Sequence, residues 1–130
     1  MPASARHSSA SPFEASIGFS RAVRAGSRIL VSGTAPVEAD GSSTVGDAEV
    51  QAARCFAIIV AAVEALGGSA ADIVRTRMFL RDAADAEAVG RAHGRVFGAI
   101  RPAATMVAGA VLLRPEWLVE IEAEAELADA

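Results

Sequence analysis

Apolar and polar residues alternate along this chain with two different periods, and the switches between them mark its elements. From Phe13 to Ala25, the residues Ile17, Phe19, Arg21 and Val23 recur at every second position, which is strand spacing. Arg28-Ile-Leu-Val-Ser32 reads as the returning strand after a Gly26-Ser27 turn. Gly33 there suggests a close backbone approach or an unusual φ, and Pro36 stops the ladder because it has no N–H to donate. Between Thr44 and Leu66 the period lengthens. Ala52, Cys55, Phe56, Ile59, Ala62, Val63 and Leu66 fall on one helical face, with Arg54 and Glu64 opposite. Thr44 with Asp47 resembles an N-cap, and Gly67-Gly68 supplies the C-terminal stop. Asp72-Ile-Val-Arg-Thr-Arg-Met-Phe-Leu80 returns to strand alternation, with Arg75, Arg77 and Phe79 on one face. A second helix, opened by Asp82 or Asp85 and reaching Phe97, carries Val89, His93, Val96 and Phe97 as its apolar stripe. Gly90 and Gly94 leave a flat strip on it. Arg101-Pro102 then leads to two strands around a Leu113-Arg-Pro-Glu116 turn. The last alternates Glu120, Glu122, Glu124 and Glu126 against Val119, Ile121, Ala123 and Ala125.

The order β-β-α-β-α-β-β predicts an α+β domain with both helices on one face of a mixed sheet. The other face then carries Arg77 and the glutamates, and such a face in a small domain asks for a partner, most simply a second copy. Residues 1–12 read as a flexible N-terminal tail and residues 13–130 as a single domain. A length of 130 residues suits one core without staples. Phe56, Phe79 and Phe97 are the expected large core aromatics. The abundance of alanine and valine leaves burial to be completed at a subunit interface.

Composition removes several chemistries. Cys55 is the single cysteine, so no internal disulfide forms, and a reducing, cytoplasmic setting is expected. With only His7 and His93 beside it, no Cys/His metal cluster is expected. All 12 basic residues are arginines, which excludes a lysine Schiff base. A net charge of −4 argues against a nucleic-acid partner, and no apolar run is of membrane-spanning length. Neither a nucleophile elbow, a phosphate-binding glycine loop nor a zinc-protease motif is present.

Three features carry candidate chemistry. Glu120 and Glu122 sit mid-strand, where burial shifts a carboxyl pKa toward acid–base work. Arg75 and Arg77 on the neighbouring strand either pair with these glutamates or capture an anionic ligand. His93 reads as a packed, hydrogen-bonded histidine rather than a general base.

Taken together, Arg28-Ile-Leu-Val-Ser-Gly-Thr-Ala-Pro36, Gln51 with its helix, Asp72–Leu80, Arg101-Pro-Ala103 and Leu118-Val-Glu-Ile-Glu-Ala-Glu-Ala125 closely resemble the Rid family. These reactive-intermediate deaminases are also called YjgF-like or L-PSP proteins, and the resemblance runs from about Gly18 to Leu127. It implies a chorismate-mutase-like fold, a homotrimer with a central barrel, and ligand pockets between subunits. It further implies hydrolysis of enamines and imines of 2-keto acids, with no cofactor. By position, Glu120 matches the glutamate that holds or activates water, and Ser32 and Gly33 match pocket positions. Phe19 falls where deaminating members place a tyrosine. Thr105 matches a small hydroxyl position, and Met106 replaces a frequent cysteine. Ala104 stands where those members carry an arginine that clamps the substrate carboxylate, a loss of roughly 2 to 4 kcal/mol of binding. Arg21, Arg77, Arg91 and Arg101 are the candidate replacements. The implied function is an imine or enamine hydrolase other than a standard 2-iminoacid deaminase. The alternative is a non-catalytic, metabolite-binding trimer. The RNase activity in the L-PSP name fits an acidic chain poorly.

Overall fold

The structure is a computed structural model that describes residues 4–9 and 11–128. Its strands are β1 (Ser4–His7), β2 (Ala22–Ala25), β3 (Arg28–Thr34), β4 (Ile73–Leu80), β5 (Ala103–Ala108) and β6 (Val119–Glu126). Two helices, α1 (Ala48–Ala65) and α2 (Ala86–Phe97), join them. The six strands form one sheet in the order β1-β2-β3-β6-β4-β5. Only β4 and β5 run parallel; the other pairs are antiparallel. The last strand of the chain is therefore central, inserted between the first hairpin and β4.

Period-2 alternation decides what each face carries. Thr76, Met78 and Leu80 of β4, with Val119, Ile121, Ala123 and Ala125 of β6, are buried beneath the helices. They meet Ala52, Cys55, Phe56, Ile59, Ala62 and Val63 of α1 and Val89, Ala92 and Phe97 of α2 in one core. The opposite face presents Arg75, Arg77 and Phe79 beside Glu122 and Glu124. Phe79 is thus not a core aromatic. It shares parity with the arginines, and parity overrides its apolar character.

The helix ends follow capping chemistry. Asp47, not Thr44, is the N-cap of α1, accepting from the Val50 amide at 3.0 Å. Gly67 adopts φ 97° just past the helix, and Gly68 N–H reaches the Val63 carbonyl at 2.9 Å to close the C-terminus. Asp82 caps a short 3-10 turn, Ala83–Asp85, that leads into α2.

The N-terminal region departs furthest from expectation. Ser4–His7 of the expected tail pairs as a strand with β2, from Ser4↔Ala25 to His7↔Ala22; residues 1–3 and residue 10 of that tail lie outside the described residues. The expected strand from Phe13 is confined to Ala22–Ala25, and Glu14–Gly18 coils into a π-helical turn. Alternation of Ile17 and Phe19 imitates a strand there, but Glu14 is buried against Arg21 and holds the turn inward. At the other sheet edge, β5 is exposed along its whole length.

Candidate functional site

A bulge organises the site. Val31 pairs with Ala123 and Thr34 with Ile121, so β3 carries one residue more than β6 across Ser32-Gly33. A Cβ placed on Gly33 would lie 2.5 Å from Glu120 Oε2. Only glycine lets this carboxylate rest against the β3 backbone. Glu120 belongs by alternation to the glutamate row of β6, but the bulge gives it a neighbourhood of its own.

That neighbourhood is a cavity of about 120 Å³. Its apolar walls come from the π-helical turn and the residues around it (Phe13, Ile17, Phe19), from Ile58 of α1, and from Leu113 and Trp117 of the loop before β6. Glu120, Arg21, Arg54, Ser9, Ser11, Thr34 and the Gly33 backbone supply the polar part. Burial pushes the Glu120 pKa up; Arg21 opposes the shift and Glu122 adds to it.

Arg21 is the buried cation of the site, 3% exposed. Its Nη1 donates to the Gly33 carbonyl at 2.6 Å and to Thr34 Oγ1 at 3.0 Å. Its Nε lies 3.6 Å from the buried Glu14 carboxylate and donates to Ser9 Oγ at 3.3 Å. The guanidinium also stands 5.4 Å from the Phe19 ring centroid. Burial lowers the Arg21 pKa, and the charges of Glu14 and Glu120 work against that. Arg21 thereby ties the N-terminal segment, the bulge and the cavity into one unit.

The loop forming the remaining wall is pinned from behind. Gln51 is buried and donates to the Thr44 and Glu116 carbonyls at 3.2 and 3.0 Å, while its Oε1 accepts from Leu118 N–H at 2.8 Å. Arg81 donates to the Trp117 and Arg114 carbonyls, both at 2.9 Å. The Arg114 guanidinium packs over Phe13 and Trp117, 5.6 and 5.2 Å from their centroids.

Of the residues singled out by sequence, Glu120, Phe19, Gly33 and Arg21 line the cavity together. Ser32 does not; its hydroxyl donates to the Ser20 carbonyl at 2.7 Å and its amide to the Arg21 carbonyl. Arg77 lies outside, paired with Glu122 at 3.1 Å and Glu124 at 3.3 Å. Arg91 is engaged with Glu49 at 3.1 Å. Ala104, Thr105 and Met106 sit on β5 opposite Thr76, Arg77 and Met78 of β4, with β4 and β6 between them and β3. One chain does not bring them to Glu120. His93 is held by Thr76 Oγ1 at 2.9 Å and by the Phe56 and Phe97 rings at 5.5 and 4.7 Å, and burial lowers its pKa. Cys55 is buried and its thiol pushed up by desolvation, which makes it inert. Sequence reasoning passed over Glu14 and Trp117. Among the described residues, no three His, Cys, Asp or Glu side chains are grouped to hold a metal ion. No described helix is long and apolar enough to cross a membrane.

The chain matches the family described as Endoribonuclease L-PSP over residues 9–127. It belongs to this family, the Rid/YjgF proteins. The fold of this Rid/YjgF chain is similar to the crystal structure of Rv2704 from Mycobacterium tuberculosis, a member of the YjgF/YER057c/UK114 family. The TM-score is 0.87 at 37% identity, covering 95% of this chain and 99% of that one. Its sequence is 32% identical over 107 residues to the 3-aminoacrylate deaminase RutC of Acinetobacter baylyi, covering 82% of this chain and 84% of that protein. Among solved structures, E. coli TdcF with bound serine is similar at TM-score 0.80 and 25% identity, covering 95% and 94% of the two chains.

Proposed function

We propose that this chain hydrolyses the C–N bond of a small imine or enamine at the Glu120 cavity. The observation that carries the reading is Glu120 itself: a carboxylate seated in an apolar cavity, over a glycine bulge, with its pKa raised by burial. A carboxylate of raised basicity takes a proton from water more readily than an exposed one. As water adds to the C=N carbon, Glu120 receives its proton. It delivers that proton to the nitrogen, then relays the carbinolamine's hydroxyl proton to the same atom, and a carbonyl compound and ammonia leave. An enamine enters the same path after protonation at carbon. Gly33 admits the carboxylate, and Phe19 forms part of the wall. The related RutC, named for deaminating an enamine, supports this reaction class.

The reading includes a second copy of the chain. Strand β5 is an edge with every residue exposed, and it carries Thr105 and Met106. A neighbour's β5 laid beside the cavity would complete it in the homotrimer expected of the family. That strand, Ala103-Ala-Thr-Met-Val-Ala108, is uncharged, so Ala104 brings no clamp for a carboxylate.

The test is ammonia release from imines generated in situ by amino-acid and amine oxidases. The wild-type protein is expected to accelerate release over the uncatalysed reaction, and Glu120→Ala to lose the acceleration. Release no faster with wild type than with Glu120→Ala across the panel would refute the reading.

A further inference from the structure

The charges of the Glu120 cavity bear on what it accepts. Among the described residues its wall contains two guanidiniums, and both are engaged within the chain. Arg21 bonds the Gly33 carbonyl, Thr34 Oγ1 and Ser9 Oγ, with Glu14 at 3.6 Å. Arg54 Nε donates to the Val37 carbonyl at 2.9 Å and lies 4.0 Å from Glu38. The remaining charge in the wall is the Glu120 carboxylate. A substrate carboxylate brought within reach of Glu120 would meet a like charge in a partly desolvated space, with both guanidiniums of the wall already bonded. The wall's hydroxyl oxygens, on Ser9, Ser11 and Thr34, already accept from Arg21 or the Phe13 amide, and Phe13, Ile17, Phe19, Ile58, Leu113 and Trp117 offer apolar contact. The volume, about 120 Å³, is of the order of the ~150 Å³ apolar cavity that takes up benzene, the scale of a phenyl-sized group.

We propose that the cavity takes an uncharged imine or enamine bearing an apolar substituent, in preference to the imine of a 2-keto acid. The proposal rests on the reading of Glu120 as the base for C–N hydrolysis and names the substrate class of that site. Water would add its oxygen to the C=N carbon, and Glu120 would take one of its protons and pass it to the imine nitrogen. The carbinolamine would then lose ammonia as Glu120 carries its hydroxyl proton to the nitrogen, leaving a neutral ketone or aldehyde.

A matched pair isolates the charge: 1-phenylethan-1-imine and 2-imino-2-phenylacetate, generated in situ by an amine oxidase and an amino-acid oxidase. They differ only by methyl against carboxylate. The neutral imine is expected to show the higher kcat/KM, by at least about tenfold. Equal rates, or a preference for the carboxylated imine, overturn the proposal. A carboxylate preference lost in Arg101→Ala would in addition assign the missing cation to Arg101. If neither imine reacts faster than with Glu120→Gln, the hydrolase reading fails, and binding of the product pair decides specificity alone. Acetophenone binding more tightly than phenylglyoxylate upholds the proposal. The reverse order, or binding of neither, overturns it. Glu120→Gln removes the like charge and is expected to tighten phenylglyoxylate severalfold; unchanged affinity would remove the basis of the argument.

Discussion

Glu120 and Glu124 stand four residues apart in the same row of β6, yet they live in different electrostatic worlds. Glu124 lies in a ladder of cross-strand pairs, 2.5 Å from Arg28, 3.3 Å from Arg77 and 3.8 Å from Arg75. Cations from β3 and β4 flank it on both sides, and water reaches the pairs. Glu120 rests on a glycine bulge beside aromatic rings, and the cation that acts on it, Arg21, is shared with Glu14. A carboxylate with several cations beside it has no chemistry left to do; its pairing is structural. One that is desolvated and only partly compensated keeps its basicity for a substrate.

The contrast can be broken most directly by exchanging charge for amide at each position. Glu120→Gln is expected to cost about 10²- to 10⁴-fold in imine hydrolysis, the usual contribution of a positioned acid–base group. Glu124→Gln is expected to leave the rate near wild type. Equal losses would mean that the row acts as a whole and that the cavity confers nothing special.

The two cation sets differ in the same sense. Arg21→Met leaves Glu14 buried without its partner, and a loss of roughly 3 to 5 kcal/mol of stability is expected in urea unfolding. Gln51→Leu strands two carbonyls and an amide behind the cavity loop and is expected to cost about 2 to 3 kcal/mol. Arg77→Ala is the smallest change, within about 1 kcal/mol, because its pairs are half exposed. A larger loss at Arg77 than at Arg21 would invert the comparison.

Much of this was legible in the sequence. The pairing of Arg77 with Glu122 follows from alternation once β4 and β6 are neighbours, and the apolar stripes of α1 and α2 follow from helical spacing. Glu120 and Gly33 could be named individually, one as a mid-strand carboxylate and the other as a glycine ending a strand. Their meeting could not be read from pattern, because it depends on one extra residue in β3 at a place where local alternation looks regular. The N-terminal wall was illegible for a related reason. Ile17 and Phe19 keep strand parity with Val23 although the chain coils over Glu14–Gly18, since the buried Glu14–Arg21 pair is a tertiary constraint that no local period records. Ala104, Thr105 and Met106 mark the remaining limit: a single chain holds them two strands away from the bulge.

The central claim is that burial leaves Glu120 unusually basic, and the protonation of that side chain tests it. A carbon-13 titration of the Glu120 carboxyl is expected to give a midpoint above the ordinary glutamate range, because burial disfavours the anion. The midpoint is expected to climb further in Arg21→Met, where the opposing cation is gone. Hydrolysis needs the ionised form, so its rate should fall as pH drops through that same midpoint. A Glu120 midpoint at or below the ordinary glutamate range, unmoved in Arg21→Met, would contradict the claim.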